Sequence, residues 1–288
     1  MVCGVESGSR VGMGAINRND SFAEAALRTE RRVAESAPWS DPRSVGEFPD
    51  AYISMGRTAE FVASVTGTTR LAQDEFAARS QRLAAAARDE GFSAREIVGV
   101  TGPDGRLYDR DDSIRPETTT DALADLPPAF SAAGSVTAGN ACPLSDGAAA
   151  CVIVSAAFAE ERGIEPLARI VSTAVGALSP EIMGLGPVDA SKRALMRAGM
   201  RIEDVDIVEM NEAFAAQVIP SAERLGIDID SQLNPFGGAI ALGHPFGATG
   251  VRLIATLLNG LATRDQTVGL ATLCVGGGQG MAIVVERL

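Results

Sequence analysis

The chain has 288 residues, 46% of them hydrophobic and 22% charged, and its 37 acidic against 25 basic side chains leave a net charge of −12. That is the composition of a folded globular protein of about two domains, without the basic footprint that nucleic acids and anionic membranes require. Lys192 is the only lysine and His244 the only histidine, which excludes zinc sites built on several histidines and mechanisms that need two; no metal is expected.

Met1 to Val5 reads as the end of a buried strand running into a loop, and no basic head with an apolar core marks a secretory signal. Residues 8 to about 70 are rich in Gly, Ser, Asn, Asp and Pro, with helices expected near Ser21 to Ala37 and from Met55. Phe76, Leu83, Ala86 and Ala87 recur at helical spacing and predict a stronger helix over Ala72 to Glu90. Residues 96 to 135 carry short strand candidates, Asp-rich turns and the Pro127-Pro128 break. The run from Gly147 to Ala159 is too short to span a bilayer.

From Ala148 the texture alternates. Strands are expected at Cys151 to Ser155, Leu167 to Val175, Asp206 to Met210, Thr267 to Cys274 and Met281 to Glu286. Helices are expected at Pro187 to Gly199, Glu212 to Leu225 and Ala248 to Leu261. Alternating elements of this length predict an α/β sheet with helices packed on it. Cys3, Cys142, Cys151 and Cys274 show no metal or disulfide-scaffold spacing, so reduced thiols and a cytoplasmic location are expected.

Chemistry concentrates at a few places. His244 lies between Gly243 and Pro245 in a glycine-rich loop, where an imidazole can face a cleft. Cys274 ends a strand before three glycines; alone it reads as a packed core thiol, but a Cys/His pair can share a proton. Asn211 stands at a strand-to-helix switch, either as an N-cap or as an amide that fixes a water or carbonyl. The glycine clusters fit neither G-x-G-x-x-G before a helix nor a Gly-Lys-Ser/Thr loop, so neither NAD nor ATP is indicated. Glycine here suits close backbone approach and amides facing an oxyanion.

Asn211-Glu-Ala-Phe214, Gly243-His-Pro245 and Cys274-Val-Gly-Gly-Gly-Gln-Gly280, in this order, resemble the C-terminal signature of the thiolases, the acyl-CoA C-acyltransferases. The resemblance continues through Gly184-Leu-Gly-Pro187, Thr137-Ala-Gly-Asn140, Ile114-Arg-Pro116, Met55-Gly56, Thr58-Ala-Glu60 and Gly4-Val-Glu-Ser7. It implies a thiolase fold: an incomplete N-terminal α/β domain (residues 1–14, with 136–160 returning to it), a substrate-covering loop domain (15–135) and a complete C-terminal α/β domain (161–288).

The resemblance further implies cleavage of a 3-oxoacyl-CoA by CoA, or the reverse condensation, in fatty-acid or sterol side-chain metabolism, with coenzyme A as substrate and no cofactor. Cys274 would be the acid/base cysteine, His244 would activate the nucleophile and donate to the thioester oxygen, Asn211 would hold a water, and the Gly276 amide would serve a second oxyanion hole. Arg115 would meet the CoA phosphates; Met55, Phe130, Ala141, Cys142 and Phe214 would line the pantetheine and acyl path. Two positions depart from the family pattern: Ser54 stands where many members carry a histidine, and Cys142 where serine is usual. The family's nucleophilic cysteine is expected upstream of Gly4-Val-Glu-Ser7, so the rival expectation is a non-catalytic CoA-binding homologue, or a chain whose partner supplies that cysteine. Homo-oligomers are usual in the family. A ketoacyl synthase is disfavoured because its site needs two histidines.

Overall fold

A computed structural model describes residues 1–9, 19–35 and 37–288. The expected boundary between residues 14 and 15 lies outside the described residues, as does residue 36 near the end of the first expected helix. Strand β1 (Val2–Ser7) opens the chain, and α1 (Ala23–Ala34), α2 (Met55–Thr66) and α3 (Arg70–Asp89) follow. Thr69 caps α3, its hydroxyl accepting from Ala72 N, and Phe76, Ala77, Ala84 and Ala87 supply its buried face. The short pair β2 (Val100–Thr101) and β3 (Leu107–Tyr108) forms a hairpin, and α4 (Thr120–Ala124) leads into an irregular stretch.

β4 (Asp146–Cys151) returns to pair antiparallel with β1, Val2 opposite Cys151 and Ser7 opposite Asp146. This corrects two expectations. The strand lies at Asp146–Cys151 and not at Cys151 to Ser155, because Cys151 faces the first residue of β1 and the residues after it have no strand to bond; Val152 is 69% exposed. β1 is also not buried: α9 packs on the ribbon, and Val5 on its other face is 74% exposed.

After α5 (Ala156–Arg162) comes the main sheet, of β5 (Ala168–Ala177), β6 (Ile207–Met210), β7 (Val268–Val275) and β8 (Gln279–Arg287), in the order β5-β8-β7-β6. β6 and β7 run parallel and the other pairs antiparallel. Helices α6 (Gly186–Ala198) and α7 (Ala215–Leu225) pack with α3 on one face around Val208, Met210, Leu270 and Val284. On the other face α9 (Phe246–Arg264), reached through the single turn α8 (Ala239–Leu242), packs Leu253, Leu257 and Leu261 on Ile207, Ala271 and Val285. β6 is buried on both faces, as a parallel strand covered by helices must be, and reads as a continuous apolar run broken only by Glu209.

Helix α7 begins at Ala215, three residues later than the Glu212 start expected from composition. Residues 212–214 stay extended because their backbone is already engaged: Ala213 O accepts from Cys142 N at 3.0 Å, and Phe214 bridges Ala141. Phe214 occupies the N-cap, so Asn211 does not cap this helix.

Candidate active site

Asn211 follows the last residue of β6, at the carboxyl end of two parallel strands, where α/β sheets place ligands. Its backbone is held on both sides, N–H donating to Thr272 O at 3.0 Å and C=O accepting from Gln217 Nε2 at 3.0 Å. Below it, Asn234 extends the sheet edge with its side chain: Oδ1 accepts from Met210 N and Nδ2 donates to Met210 O, both at 2.8 Å. The Asn211 side chain is therefore aimed by a rigid backbone.

The aim is at His244. Asn211 Nδ2 lies 3.3 Å from His244 Nε2, and His244 Nδ1 lies 2.7 Å from Thr249 Oγ1. An amide NH2 can only donate, so Nε2 presents its lone pair. The Thr249 hydroxyl gives its proton to Pro245 O at 2.9 Å, so it accepts from Nδ1–H. Both ends select the same neutral tautomer, protonated on Nδ1. Burial and the Arg252 charge push the imidazole down to about 4, and the positive end of α9, two residues on, acts in the same direction. At neutral pH His244 is a neutral base.

Two further anchors fix the loop that carries this ring. His244 N–H donates to Ser145 Oγ at 3.1 Å, tying the loop to the turn before β4. From the sheet side, the wholly buried Glu212 accepts from Ile240 N (3.2 Å), Asn234 Nδ2 (2.8 Å) and Ser80 Oγ (2.6 Å). Burial raises its pKa against these three donors.

Cys274 is the penultimate residue of β7, the strand parallel to β6, and is 6% exposed. It belongs to one apolar cluster with Ala141, Ala213, Phe214 and Met183, against which Met55 and Cys142 pack. Burial raises both the Cys142 and Cys274 thiols to about 12, and the Cys274 charge adds to the rise at Cys142. Both are protonated at rest. Phe130 meets Phe214 edge to face at 5.9 Å between ring centroids. Gly276, just past Cys274, is exposed, and a Cβ built there would lie 3.7 Å from Met55 Sδ. The turn holding Asn140 to Cys142 is set from α2 and α3: Glu60 accepts from Ser135 N and Val136 N, and Asn140 Nδ2 donates to Asp74.

Thus Cys274, Ala141, Cys142, Phe214 and Met55 share one apolar cluster, which Phe130 meets through Phe214 and Gly276 through Met55, while Asn211 and His244 form a separate hydrogen-bonded array. Arg115 stands apart: its side chain is exposed, and its backbone N–H donates to Gln81 Oε1, whose Nε2 in turn donates to Ile240 O. Ser54 is exposed at the start of α2. Sequence reasoning missed Thr249, Ser145 and Glu212. Only Glu212 left a signal, as the second residue of the Asn211-Glu-Ala-Phe214 motif.

The thiolase N-terminal domain model matches residues 1–157, and the thiolase C-terminal domain model residues 164–287. Among curated relatives, the 3-ketoacyl-CoA thiolase of Saccharophagus degradans is 48% identical over 242 residues, covering 82% of this chain and 62% of the relative. The acetyl-CoA acetyltransferase of Escherichia coli K12 is 51% identical over 237 residues, covering 81% and 60%. The chain thus spans about three fifths of the length of these relatives. The dimeric peroxisomal thiolase of Saccharomyces cerevisiae superposes with a TM-score of 0.86 at 35% identity, over 99% of this chain and 68% of that one. The human mitochondrial 3-ketoacyl-CoA thiolase solved with CoA gives 0.83 at 34%, over 99% and 70%.

Proposed function

Because the chain belongs to the thiolase family, we propose that it provides the CoA-facing, proton-handling part of an acyl-CoA C-acyltransferase site. The substrate is a 3-oxoacyl-CoA cleaved by CoA in lipid breakdown, or acetyl-CoA in the reverse condensation. The observation that carries the reading is the Asn211–His244–Thr249 array at the carboxyl end of the parallel strands β6 and β7, the second of which carries Cys274.

In cleavage, neutral His244 takes the proton of the attacking thiol at Nε2, and the resulting N–H donates to the oxygen that gathers negative charge. Cys274, protonated at rest, gives its proton to the carbanion released when the carbon–carbon bond breaks. Its thiolate then takes the proton of the CoA thiol, whose sulfur attacks the acyl group; the bond to the first attacking sulfur breaks, that sulfur recovers its proton from His244 Nε2, and the Cys274 thiol is restored. Gly276 N–H serves the acyl carbonyl, Arg115 the CoA phosphates, and Met55, Phe130, Ala141, Cys142 and Phe214 the pantetheine and acyl path. β4 pairing with β1 supports grouping residues 136–160 with 1–14; residues 15–135 cover the site, and 161–288 form the C-terminal domain. The reading includes a homo-oligomer, supported by the dimeric yeast relative, and a cytoplasmic location, supported by four free thiols. Among the described residues no helix is long and apolar enough to cross a membrane.

Calorimetric titration with CoA and acetyl-CoA, together with CoA-dependent cleavage of acetoacetyl-CoA and one longer 3-oxoacyl-CoA, tests the reading. Thioester binding is expected, with cleavage that falls about 100-fold or more in His244→Ala and in Cys274→Ala. A folded chain that binds neither CoA nor its thioesters overturns the reading. Binding without cleavage overturns catalysis by this chain alone and assigns the nucleophile to a partner.

A further inference from the structure

Behind the His244 array lies a charged pair that the signature motifs do not include. Glu209 sits on β6 two residues before Asn211 and is fully buried. Arg252 sits on α9 three residues after Thr249, one helical turn on, with its side chain 19% exposed. Arg252 Nη1 approaches Glu209 Oε2 at 3.6 Å. The pair therefore bridges the two elements that carry the two hydrogen-bond partners of His244: β6 leads to Asn211, and α9 bears Thr249.

This is a poor arrangement for stability alone. Both Glu209 oxygens and both terminal nitrogens of Arg252 are buried without a hydrogen-bond partner among the described residues. A buried ion pair so incompletely bonded recovers little of its desolvation cost, and apolar side chains of similar volume would serve the core at least as well. The other charged groups facing the pair are Glu96 and Asp111, from the segment after α3, and Glu212 beside Glu209. Thr256 Oγ1 and Asn259 Nδ2 donate to Glu96, so that carboxylate is already engaged. Burial raises Glu209 to about 8 and also lifts Glu96 and Asp111, while the Arg252 charge lowers all three. Arg252 is the charged side chain that acts on His244.

We propose that Arg252, anchored by Glu209, is a positioning residue that fixes the first turn of α9 so that Thr249 meets His244 Nδ1, leaving the Nε2 lone pair turned to Asn211. The inference rests on the reading of His244 as the proton-handling group, and it assigns that group's tautomer to a residue outside the cleft, whose charge adds to burial in keeping the ring neutral.

Because His244 is the only histidine in the chain, one imidazole signal in a nuclear magnetic resonance spectrum reports it directly. The nitrogen shifts at neutral pH are expected to show the proton on Nδ1. The titration midpoint should lie well below that of a free imidazole. In Arg252→Gln it should rise by roughly half a pH unit or more, because a nearby positive charge is gone, while Arg252→Lys should keep it within roughly a quarter unit. An unmoved midpoint in Arg252→Gln, or an equal rise in both variants, overturns the proposal. Should Arg252→Gln fail to fold, the wild type and Arg252→Lys decide: a proton on Nε2, an ordinary midpoint in the wild type, or a raised midpoint in Arg252→Lys overturns it equally. No substrate enters these measurements, so they stand apart from the failure of the proposed reaction.

Discussion

The main sheet and the β1–β4 ribbon hold opposite sides of the loop that carries His244 by different means. In the main sheet, position follows from burial: Ile207, Val208 and Met210 are fully buried, helices cover both faces, and Asn211 inherits its place from the strand register. The ribbon buries little, and Val5 lies open on its outer face. It grips the loop by fit. A Cβ on Gly4 would lie 1.8 Å from Gly247 O, and one on Gly247 would lie 2.5 Å from Val5 O. Burial makes one side tolerant of shape but intolerant of lost hydrogen bonds, whereas close backbone approach makes the other side intolerant of a single methyl group.

The sharpest way to break this contrast is Gly247→Ala. The added methyl meets backbone and not a movable side chain, so the loop must shift. A stability loss of about 3 kcal/mol or more is expected in urea unfolding. Because Gly247 follows His244 by three residues, activity should fall by about 100-fold even in the fraction that folds. Wild-type turnover in this variant would show that the ribbon does not set the loop.

On the sheet side the counterpart is Glu212→Ala. It removes the acceptor of Ser80, Asn234 and Ile240 N–H while leaving every apolar contact of β6 in place. Stranding these buried donors should cost about 2–3 kcal/mol. Glu212→Gln, which keeps one acceptor oxygen, should recover part of that loss. Equal stabilities of the Ala and Gln variants would mean that the carboxylate does not brace the loop.

The same contrast explains what could be read from the sequence. Elements of the main sheet announce themselves because two-sided burial imposes apolar runs between helices of ordinary amphipathicity, and their limits were legible to within a few residues. The helix starting at Ala215 was misplaced because Glu212 and Ala213 are held extended by partners far away in the chain, Ser80 and Cys142, which no local pattern records. β4 was displaced for a related reason: its limits are set by where β1 lies and not by its own side chains. Asn211, His244 and Cys274 were legible as motif residues. Thr249 and Ser145 were not, since a hydroxyl in a first helical turn or before a strand is common and acquires meaning only when a ring nitrogen or an amide meets it.

The pH dependence of stability sharpens the comparison further. Glu209 titrates near 8 in the fold against 4.5 for a free carboxyl, so it favours the native state fully below about pH 4.5 and loses that contribution as pH rises through about 8. His244 acts the other way: its lowered value means that stability present above about pH 6.5 is lost as pH falls through about 4. Glu209→Gln removes the first effect. Relative to the wild type, this variant should gain about 2 kcal/mol between about pH 5 and about pH 9 in denaturant titrations. A difference independent of pH would show that Glu209 is ionised throughout.

The smallest expected effect is Ser145→Ala, which tests the ribbon side without adding bulk. Ser145 Oγ accepts from His244 N–H and donates to Pro143 O, so the change removes one link between the turn before β4 and the loop that carries His244. A Cβ on Gly243 would lie 2.3 Å from that hydroxyl, so losing the oxygen also opens space beside the loop. The cost should be about 1 kcal/mol, the net worth of a hydrogen bond partly open to water. The ring itself keeps Asn211 and Thr249, so the His244 tautomer and titration should not move, while turnover falls by only about threefold through looser positioning. A shifted titration would mean that the ribbon sets the protonation of the ring as well as its place, and the division between the two supports would fail.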